Sequence, residues 1–491
     1  MSGLAGPIFF VTFVDLKLAM MLNEIVAAVS GVLSDYVLVT VLLLAAVYFT
    51  IRTGGVQFRM VGEMIRLLLR SGKRDERDIP GRLPSHGHIS SFQAFALSIA
   101  SRVGTGNLAG VATAIAIGGP GAVFWMWVIA ILGAASAFVE STLAQLFKVR
   151  GPQSYMGGPA YYILKGLHKR WWAVTFAILI TLTFGFAFNS VQSNTISDAL
   201  GNSFGVPRLW TALVLAVATL VIIWGGVQRV SRFSEVVVPV MAIAYIVLAA
   251  VIVVMNFHRI PEIILTIVEN AFGFREAAGG TLGAAMIMGI KRGLFSNEAG
   301  EGSTPNAAAT ATVSHPVKQG LIQALGVYTD TLIVCTATAF IILCSGIYTE
   351  GHDGIVLTQH AIDSQFGGNL GSIFVSIAIF FFAFTSIIAN YYYGETNLRF
   401  IHNSDALING YRLLVGGIVW VGAMSSLDLV WGFADITMAL MTLCNLAAIV
   451  LLGKYAVALL HDYRRQLKDG HDPVYHSSTL PEIADETEAW Q

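Results

Sequence analysis

The chain has 491 residues, of which 55% are hydrophobic and only 12% charged, with a formal net charge of −1. A soluble domain carries roughly twice that share of charge, so a water-soluble enzyme and a nucleic-acid-binding module are both excluded. Mean hydropathy is +0.69, and apolar runs of about 18 residues or more alternate with short polar stretches, the pattern of an all-α integral membrane protein. The residue-by-residue alternation of a strand barrel is absent.

Eleven transmembrane helices are predicted in chain order, at 33–52, 91–118, 122–147, 171–198, 208–227, 234–256, 277–302, 320–346, 369–396, 411–425 and 429–453. No cleavable leader is expected, because Asp15, Lys17 and Glu24 interrupt the first apolar residues and no basic segment precedes them. Two amphipathic pieces, near 57–71 and 158–169, are expected at the membrane interface. Cys335, Cys344 and Cys444 all lie in apolar runs, so neither a disulfide framework nor a zinc site is expected. Lys and Arg in short loops stay cytoplasmic. Most of them fall on one side of this topology, from Arg52–Arg82 through Lys148, Arg150, Lys165, Lys291, Arg292, Lys318, Arg399 and Arg412 to Arg464–Lys468. That places the N-terminus outside and the C-terminus in the cytoplasm. The polar tail, 456–491, is expected to be cytoplasmic, and after Arg464 to be mobile and to carry little function.

Two of these helices contradict their surroundings. The second contains "SRVGTGNLAGVATAIAIGG" (Ser101–Gly119), with an arginine, an amide and several glycines at bilayer depth. Each glycine weakens a helix by about 1 kcal/mol relative to alanine. A helix that opens inside a membrane is tolerated only around a polar cavity, where freed carbonyls bind a cation and a half-helix N-terminus binds a carboxylate. Small residues also serve close helix packing; that reading fits 107–119, whereas Val103–Asn107 reads as a break. The seventh helix contains "GAAMIMGIKRGLFSNEAGEGSTPNAAATA" (283–311) and is interrupted in the same way. With four complete spans between them, the two broken helices run in opposite directions. Five-span units at 91–256 and 257–455, after a segment 1–90 holding one extra helix, are the signature of an inverted-repeat secondary transporter with its site where the breaks meet.

The stretches "VGTGNLAGVATAIAIGGPGAVFWMWVIAILGAASAFVESTLAQLFK" (103–148) and "RGLFSNEAGEGSTPNAAA" (292–309) resemble the alanine-or-glycine:cation symporter family, a likeness extending from about 90 to 450. It implies a LeuT-type 5+5 inverted repeat plus one N-terminal helix. It also implies co-transport of small neutral amino acids (alanine, glycine, D-alanine or serine) with Na+ as coupling ion and no other cofactor, in the cell (inner) membrane. By that resemblance, N–H groups of Thr105 and Gly106 face the substrate carboxylate, carbonyls of Ala100 and Val103 face sodium, and Asn107 is an ion ligand or amine contact. Thr385 and Ser386, adjacent in the ninth helix, resemble the hydroxyl pair that completes a sodium site; read alone, such a pair bonds back to its own helix.

Asn390 lies one turn beyond Ser386 and is expected to line the pocket. Among the amides of "FNSVQSNTISD", Gln192 is the preferred substrate contact and Asn194 the second, while Asn189 is equally an interhelix bond. Met286 or Met288 and Phe295, near the second break, are expected to limit side-chain size. Arg102, inside a span, needs a partner: an internal acid (Glu140, Asp330, Glu298 or Glu301), or else it stands in for a sodium ion or pairs with the substrate carboxylate. Asp330 could instead bind a cation. The segment Ser296–Glu301 is read as an inner gate. No HExxH, GxSxG or P-loop is present, which argues against a membrane enzyme or an ATP-driven pump. A proton-coupled carrier, a channel and a nutrient sensor remain as alternatives, and the oligomeric state is open.

Overall fold

A computed structural model of the chain describes residues 24, 26, 28–71, 89–151, 154–273 and 282–490, the side chains of 226–234 and of 282 excepted. Without water to satisfy N–H and C=O groups, apolar sequence of this length has to form helices. The main ones are α1 (Ala28–Arg52), α2 (Val61–Arg70), α3 (Ser91–Arg102), α4 (Gly106–Gly118), α5 (Gly121–Leu146), α6 (Pro159–Leu167), α7 (Arg170–Phe204) and α8 (Arg208–Ile223). They continue with α9 (Gly226–Met255), α10 (Ile260–Ala271), α11 (Leu282–Asn297), α12 (Thr304–Ala308) and α13 (Pro316–Ser345). The last four are α14 (Gly354–Phe366), α15 (Leu370–Ile401), α16 (Asp405–Met424) and α17 (Leu427–Lys468). Eight of the described helices are long and apolar enough to cross a membrane: α1, α5, α7, α9 over Glu235–Met255, α13, α15, α16 and α17. The short amphipathic α2 and α6 fall where interfacial pieces were expected.

Close contacts between helices rest on small residues, as they do in lipid, where apolar burial between helices gains little. Helix α5 packs against α11, α13 and α1. At Gly289 a Cβ would lie 2.3 Å from the Ala122 carbonyl oxygen, so only glycine lets α11 approach α5 this closely. On the other side α7 packs against α15 and α16, where a Cβ on Gly422 would lie 2.5 Å from Ser190 Cα.

Three helices contain wide π-type turns that bear on the site: Gly106–Gly110, Thr183–Phe188 and Tyr328–Cys335. Such turns displace the helical register and are common where side chains must be re-aimed. The second precedes Asn189 and Gln192; the third carries Asp330.

The structure departs from the sequence expectation at the C-terminus. Helix α17 continues to Lys468 instead of ending near 453. The polar segment beyond it packs on the protein, burying Tyr475, Leu480, Ile483 and Ala489. Periodicity cannot show this, because the segment is anchored by isolated apolar residues in short turns. The face that receives it is called the tail face. Helix α5 spans about 39 Å at 1.5 Å per residue and separates that face from the opposite one, where α4 turns into α5.

Lys291 and Arg292, grouped with the tail-face cations on sequence, lie toward the opposite face. Lys291 pairs with Asp35 of α1 at 2.7 Å and Arg292 with Asp435 at 3.0 Å. Their position inside α11, near its middle, places them in a cavity rather than in a loop. The basic residues 73–82 and Arg275 fall outside the described residues, as do residues 277–281 of the seventh predicted helix.

Candidate functional site: two interrupted helices

Helix α3 starts on a capping box, in which Gln93 N–H donates to Ser90 Oγ and Ser90 N–H to Gln93 Oε1, both at 3.1 Å. It ends at Val103, whose ψ of 93° turns the chain out of the helix, and the helix resumes at Thr105–Gly106. The break redirects the amides that would have closed the helix. Gly104 N–H donates to Asn107 Oδ1 at 2.9 Å, and Thr105 N–H donates to Gln192 Oε1 at 3.0 Å, joined there by the Thr105 hydroxyl at 2.6 Å. The carbonyl of Ala100 has thereby lost its normal partner, the Gly104 amide.

Ser386 Oγ fills that place. It lies 2.8 Å from the Ala100 oxygen, 3.0 Å from the Phe382 oxygen and 3.5 Å from the Val103 oxygen. Three carbonyl oxygens surround one hydroxyl, which has a single proton to give. Such an oxygen-rich corner favours a hard cation. Gly104 borders it: a Cβ there would lie 2.4 Å from Ser386 Oγ and 2.9 Å from Gln192 Oε1. Thr385 differs from the expected hydroxyl pair, since its Oγ1 donates to Phe382 O in its own helix at 2.8 Å.

Beside the break lies a second polar group. Asp330 Oδ1 accepts from Asn107 Nδ2 at 2.6 Å, and Oδ2 accepts from the Ser296 hydroxyl at 2.8 Å and the Thr331 hydroxyl at 2.9 Å. These donors are neutral and come from α4, α11 and α13. Ser296, expected in an inner gate, is therefore part of the central site. It abuts the first break directly: a Cβ on Gly106 would lie 3.0 Å from Ser296 Cα and 3.1 Å from Phe295 Cδ1. Phe295 stacks obliquely on Phe188 (4.4 Å between centroids) and on Trp431 (4.6 Å), forming an aromatic wall above the break.

The second break is held by acids. Glu298 has a positive φ of 57°, and Gly300 and Gly302 follow at 90° and 84°, a conformation that costs a side chain strain but is open to glycine. Glu140 of α5 accepts from Gly300 N–H at 3.1 Å, from Gly302 N–H at 3.0 Å and from Asn445 Nδ2 at 2.8 Å. Tyr162 in turn donates to Asn445. Glu298 joins the two breaks: Ser101 Oγ lies 2.6 Å from Oε1, and Ser303 Oγ donates to Oε2 at 2.6 Å. Glu301 is buried, with no hydrogen-bond partner for either oxygen among the described residues.

Arg102 is a correction. Its expected ion pair with Glu140, Asp330, Glu298 or Glu301 is not formed within 4 Å among the described residues. Its guanidinium donates instead to Thr304 Oγ1 at 2.9 Å and to the Gln323 carbonyl at 3.2 Å. The Thr304 hydroxyl is interposed and lies 3.4 Å from Glu298 Oε2, so the charges communicate through a neutral relay. Gly326 makes room, since a Cβ there would lie 2.2 Å from Arg102 Nη1.

Three further residues lie elsewhere than expected. Asn194 Nδ2 donates to the carbonyls of Ser425 (2.7 Å) and Gly422 (3.2 Å), tying α7 to the end of α16 rather than facing the break. Asn390 bonds Asn189 Oδ1 at 3.2 Å and lies 2.8 Å from Ser101 Oγ, one layer below the Ser386 corner. Met286 lies 12 residues before Glu298, about 18 Å along a helix, too far to line the break; Met288 packs at Gly118 instead. Trp431 carried no sequence signal, because an aromatic in an apolar helix looks like lipid-facing or core surface.

Above the aromatic wall a cavity of about 480 Å³ opens opposite the tail face, bordered by Asp35, Thr113, Lys291, Arg292, Trp431 and Asp435. Arg292 donates to both Asp435 oxygens, at 3.0 and 3.2 Å, while its guanidinium carbon lies 4.0 Å from the Trp431 ring centre.

The chain has recognised relatives. GlnT of Bacillus subtilis (strain 168), a probable sodium/glutamine symporter, is 51% identical over 460 residues, covering 94% of each chain. The sodium/proton-dependent alanine carrier protein of Bacillus sp. (strain PS3) is 39% identical over 412 residues, covering 80% of this chain and 92% of its own. Among solved structures, a mutant form of the manganese transporter of Eremococcus coleocola shares the fold, with a TM-score of 0.51 at 11% identity, covering 85% of this chain and 89% of its own. The model of the sodium:alanine symporter family matches residues 19–477. Broken helices, a carbonyl-lined corner and a match of that length lead to one conclusion: the chain belongs to the sodium:alanine symporter family and is a membrane transporter, not an enzyme.

Proposed function

We propose that the protein is a sodium-coupled symporter of small neutral amino acids that works by alternating access. The observation carrying this reading is the corner formed by the Ala100, Val103 and Phe382 carbonyls around Ser386 Oγ. Neutral oxygens hold sodium without trapping it. The adjoining N-terminus of α4 takes the substrate carboxylate at the Thr105 and Gly106 amides. Gln192 Oε1 now bonds Thr105 N–H and the Thr105 hydroxyl, occupying a position suited to a carboxylate oxygen. On substrate entry the Gln192 amide swings aside and becomes a contact to the bound zwitterion. Phe295, Phe188 and Trp431 close over the side chain and set its size, which favours alanine or glycine.

We read the architecture as eleven spans. The eight long helices are joined by the short α8 and by two discontinuous spans, α3–α4 and α11–α12. We read the two five-span units as a LeuT-type inverted repeat, the first beginning at α3 and the second at α11, preceded by α1. The tail face is cytoplasmic, since Lys148, Arg150, Lys165, Lys318 and Arg399 gather there. Asp330, bonded by neutral donors beside Asn107, favours a second reading in which a proton or a second cation accompanies sodium.

The test is uptake of radiolabelled alanine, glycine and glutamine into proteoliposomes with a sodium, proton or potassium gradient imposed singly. Accumulation driven by sodium supports the proposal. Uptake indifferent to every gradient overturns it.

A further inference from the structure

The segment after α17 carries contacts that the site described above does not use, and its last residues lie beyond the family match, which stops at 477. Trp490 Nε1 donates to the Gln145 carbonyl at 3.0 Å, at the tail-face end of α5. Its ring lies 4.7 Å from Lys148 Nζ, and the Tyr155 ring lies 4.2 Å from the same ammonium. Lys148 is buried and donates to the Ala311 carbonyl at 2.9 Å, an oxygen that Gln145 Nε2 also reaches at 3.0 Å. Ala311 follows α12, the lower half of the second broken span. It forms a parallel bridge with Ile89, reinforced by Thr312 N–H donating to the Ile89 carbonyl at 3.1 Å. Ile89 immediately precedes α3, the lower half of the first broken span. One run of contacts thus leads from Trp490 through Lys148 and Ala311 to Ile89, taking in the inner ends of both discontinuous helices.

The rest of the segment spreads across the same face. Tyr475 N–H donates to the Ser314 carbonyl at 2.9 Å, Lys318 pairs with Asp472 at 2.8 Å, and Glu488 pairs with Lys165 of α6 at 2.9 Å. Helix α6 packs on α7, so the segment also bridges to helices outside the two broken spans.

We propose that residues 472–490 form a latch that holds the inner mouth closed by clamping the Lys148–Ala311–Ile89 junction, and that inward opening requires its release. The Lys148 amine, whose pKa burial pushes down to about 7, contacts two aromatic faces and a carbonyl, a clamp that loosens stepwise when one wall is withdrawn. The inference rests on the alternating-access reading, but its test reads the gate without transport.

The experiment uses the full-length protein with Thr312→Cys, reacted from the tail face with a membrane-impermeant maleimide in the absence of sodium and amino acid. The protein without this cysteine gives the background. Trp490→Ala is expected to speed labelling about tenfold with an unchanged melting temperature. Glu488→Lys is expected to speed it less, and the double exchange Lys165→Glu with Glu488→Lys to restore the original rate. An unchanged labelling rate in Trp490→Ala overturns the proposal. So does faster labelling accompanied by a lowered melting temperature, which marks the segment as a structural brace only. Failure of sodium-driven uptake in the unaltered protein would instead count against the symport reading.

Discussion

Replacing Ser386 by alanine removes one oxygen from the corner and alters little else. The hydroxyl lies 2.8 Å from the Ala100 carbonyl and 3.5 Å from the Val103 carbonyl, and its contact to Phe382 is an ordinary return to its own helix. A contact between a charged and a neutral polar group is worth about 1.5–3 kcal/mol, which at 1.4 kcal/mol per tenfold corresponds to a sodium affinity weakened about 10- to 150-fold. The neighbour supplies the control. Thr385 bonds the Phe382 carbonyl at 2.8 Å, and Thr385→Val keeps its shape, so its sodium dependence is expected to move less than about threefold, the scale of a small fraction of one such contact. The assay is the initial rate of amino-acid uptake into proteoliposomes against external sodium, with melting temperatures recorded for both variants. An unaltered sodium dependence in Ser386→Ala, with the protein folded, refutes the assignment. A larger shift in Thr385→Val than in Ser386→Ala refutes it equally.

Other substitutions probe the rest of the site. Gly104→Ala places a methyl 2.4 Å from Ser386 Oγ and 2.9 Å from Gln192 Oε1; uptake should be lost, with overpacking costing about 1–3 kcal/mol of thermal stability, and robust uptake would show that the break is not the site. Glu140→Ala leaves the Gly300 and Gly302 amides without their acceptor inside the protein, a loss of about 2–6 kcal/mol across two such groups that thermal unfolding in detergent should register. Asp435→Asn leaves the buried Arg292 with a neutral partner; breaking such a pair costs about 3–5 kcal/mol when the partner is removed outright, so a smaller loss of thermal stability is expected. Phe295→Ala takes away the ring that packs on Phe188 and Trp431; competition by bulkier amino acids for alanine uptake should increase, and an unchanged competition profile removes Phe295 from the size filter.

The sequence made the breaks legible because they violate a strong rule. Glycines and amides at bilayer depth have few explanations, so Val103–Asn107 and the segment around Gly300–Gly302 stood out without any structure. Contacts that depend on backbone trajectory were harder to read. Ser296 looked like part of a gate because it is contiguous with Glu298 and Glu301, yet α11 runs straight to Asn297 and delivers its last turn beside Gly106. Met286 looked close in sequence to the same break and is removed from it by three turns of helix. Asn194 and Gln192 are indistinguishable as amides in an apolar helix. The wide turn at Thr183–Phe188 sets the register ahead of them, with Gln192 aimed at Thr105 and Asn194 at α16. Lys291 and Arg292 misled for a related reason: a charge-bias argument treats cations as loop residues, and it cannot anticipate a charged cavity with Asp35 and Asp435 inside it.

Arg102 shows why the two breaks act together. An isolated guanidinium at this depth costs several kcal/mol, and the simplest remedy is a direct carboxylate. The structure instead supplies the Gln323 carbonyl and the Thr304 hydroxyl, leaving Glu298 oriented toward Ser101 and Ser303. Each of these residues belongs to one of the two broken spans or to the helix following the second: Arg102 and Ser101 end α3, Thr304 begins α12, and Gln323 lies on α13. A direct Arg102–Glu298 pair would lock the halves with a single strong contact that resists separation. A relay of neutral hydroxyls distributes the same charge over separate bonds, of about 1.5–3 kcal/mol each because one partner is charged, which can exchange in sequence as the inner halves move. The prediction is that Thr304→Val, which removes the interposed hydroxyl at constant shape, slows transport by leaving a methyl between Arg102 and Glu298 and so cutting the relay between them. Uptake unaffected by Thr304→Val would mean that the relay is only packing, and the two breaks would then have to be coupled through Ser101 and Glu298 alone.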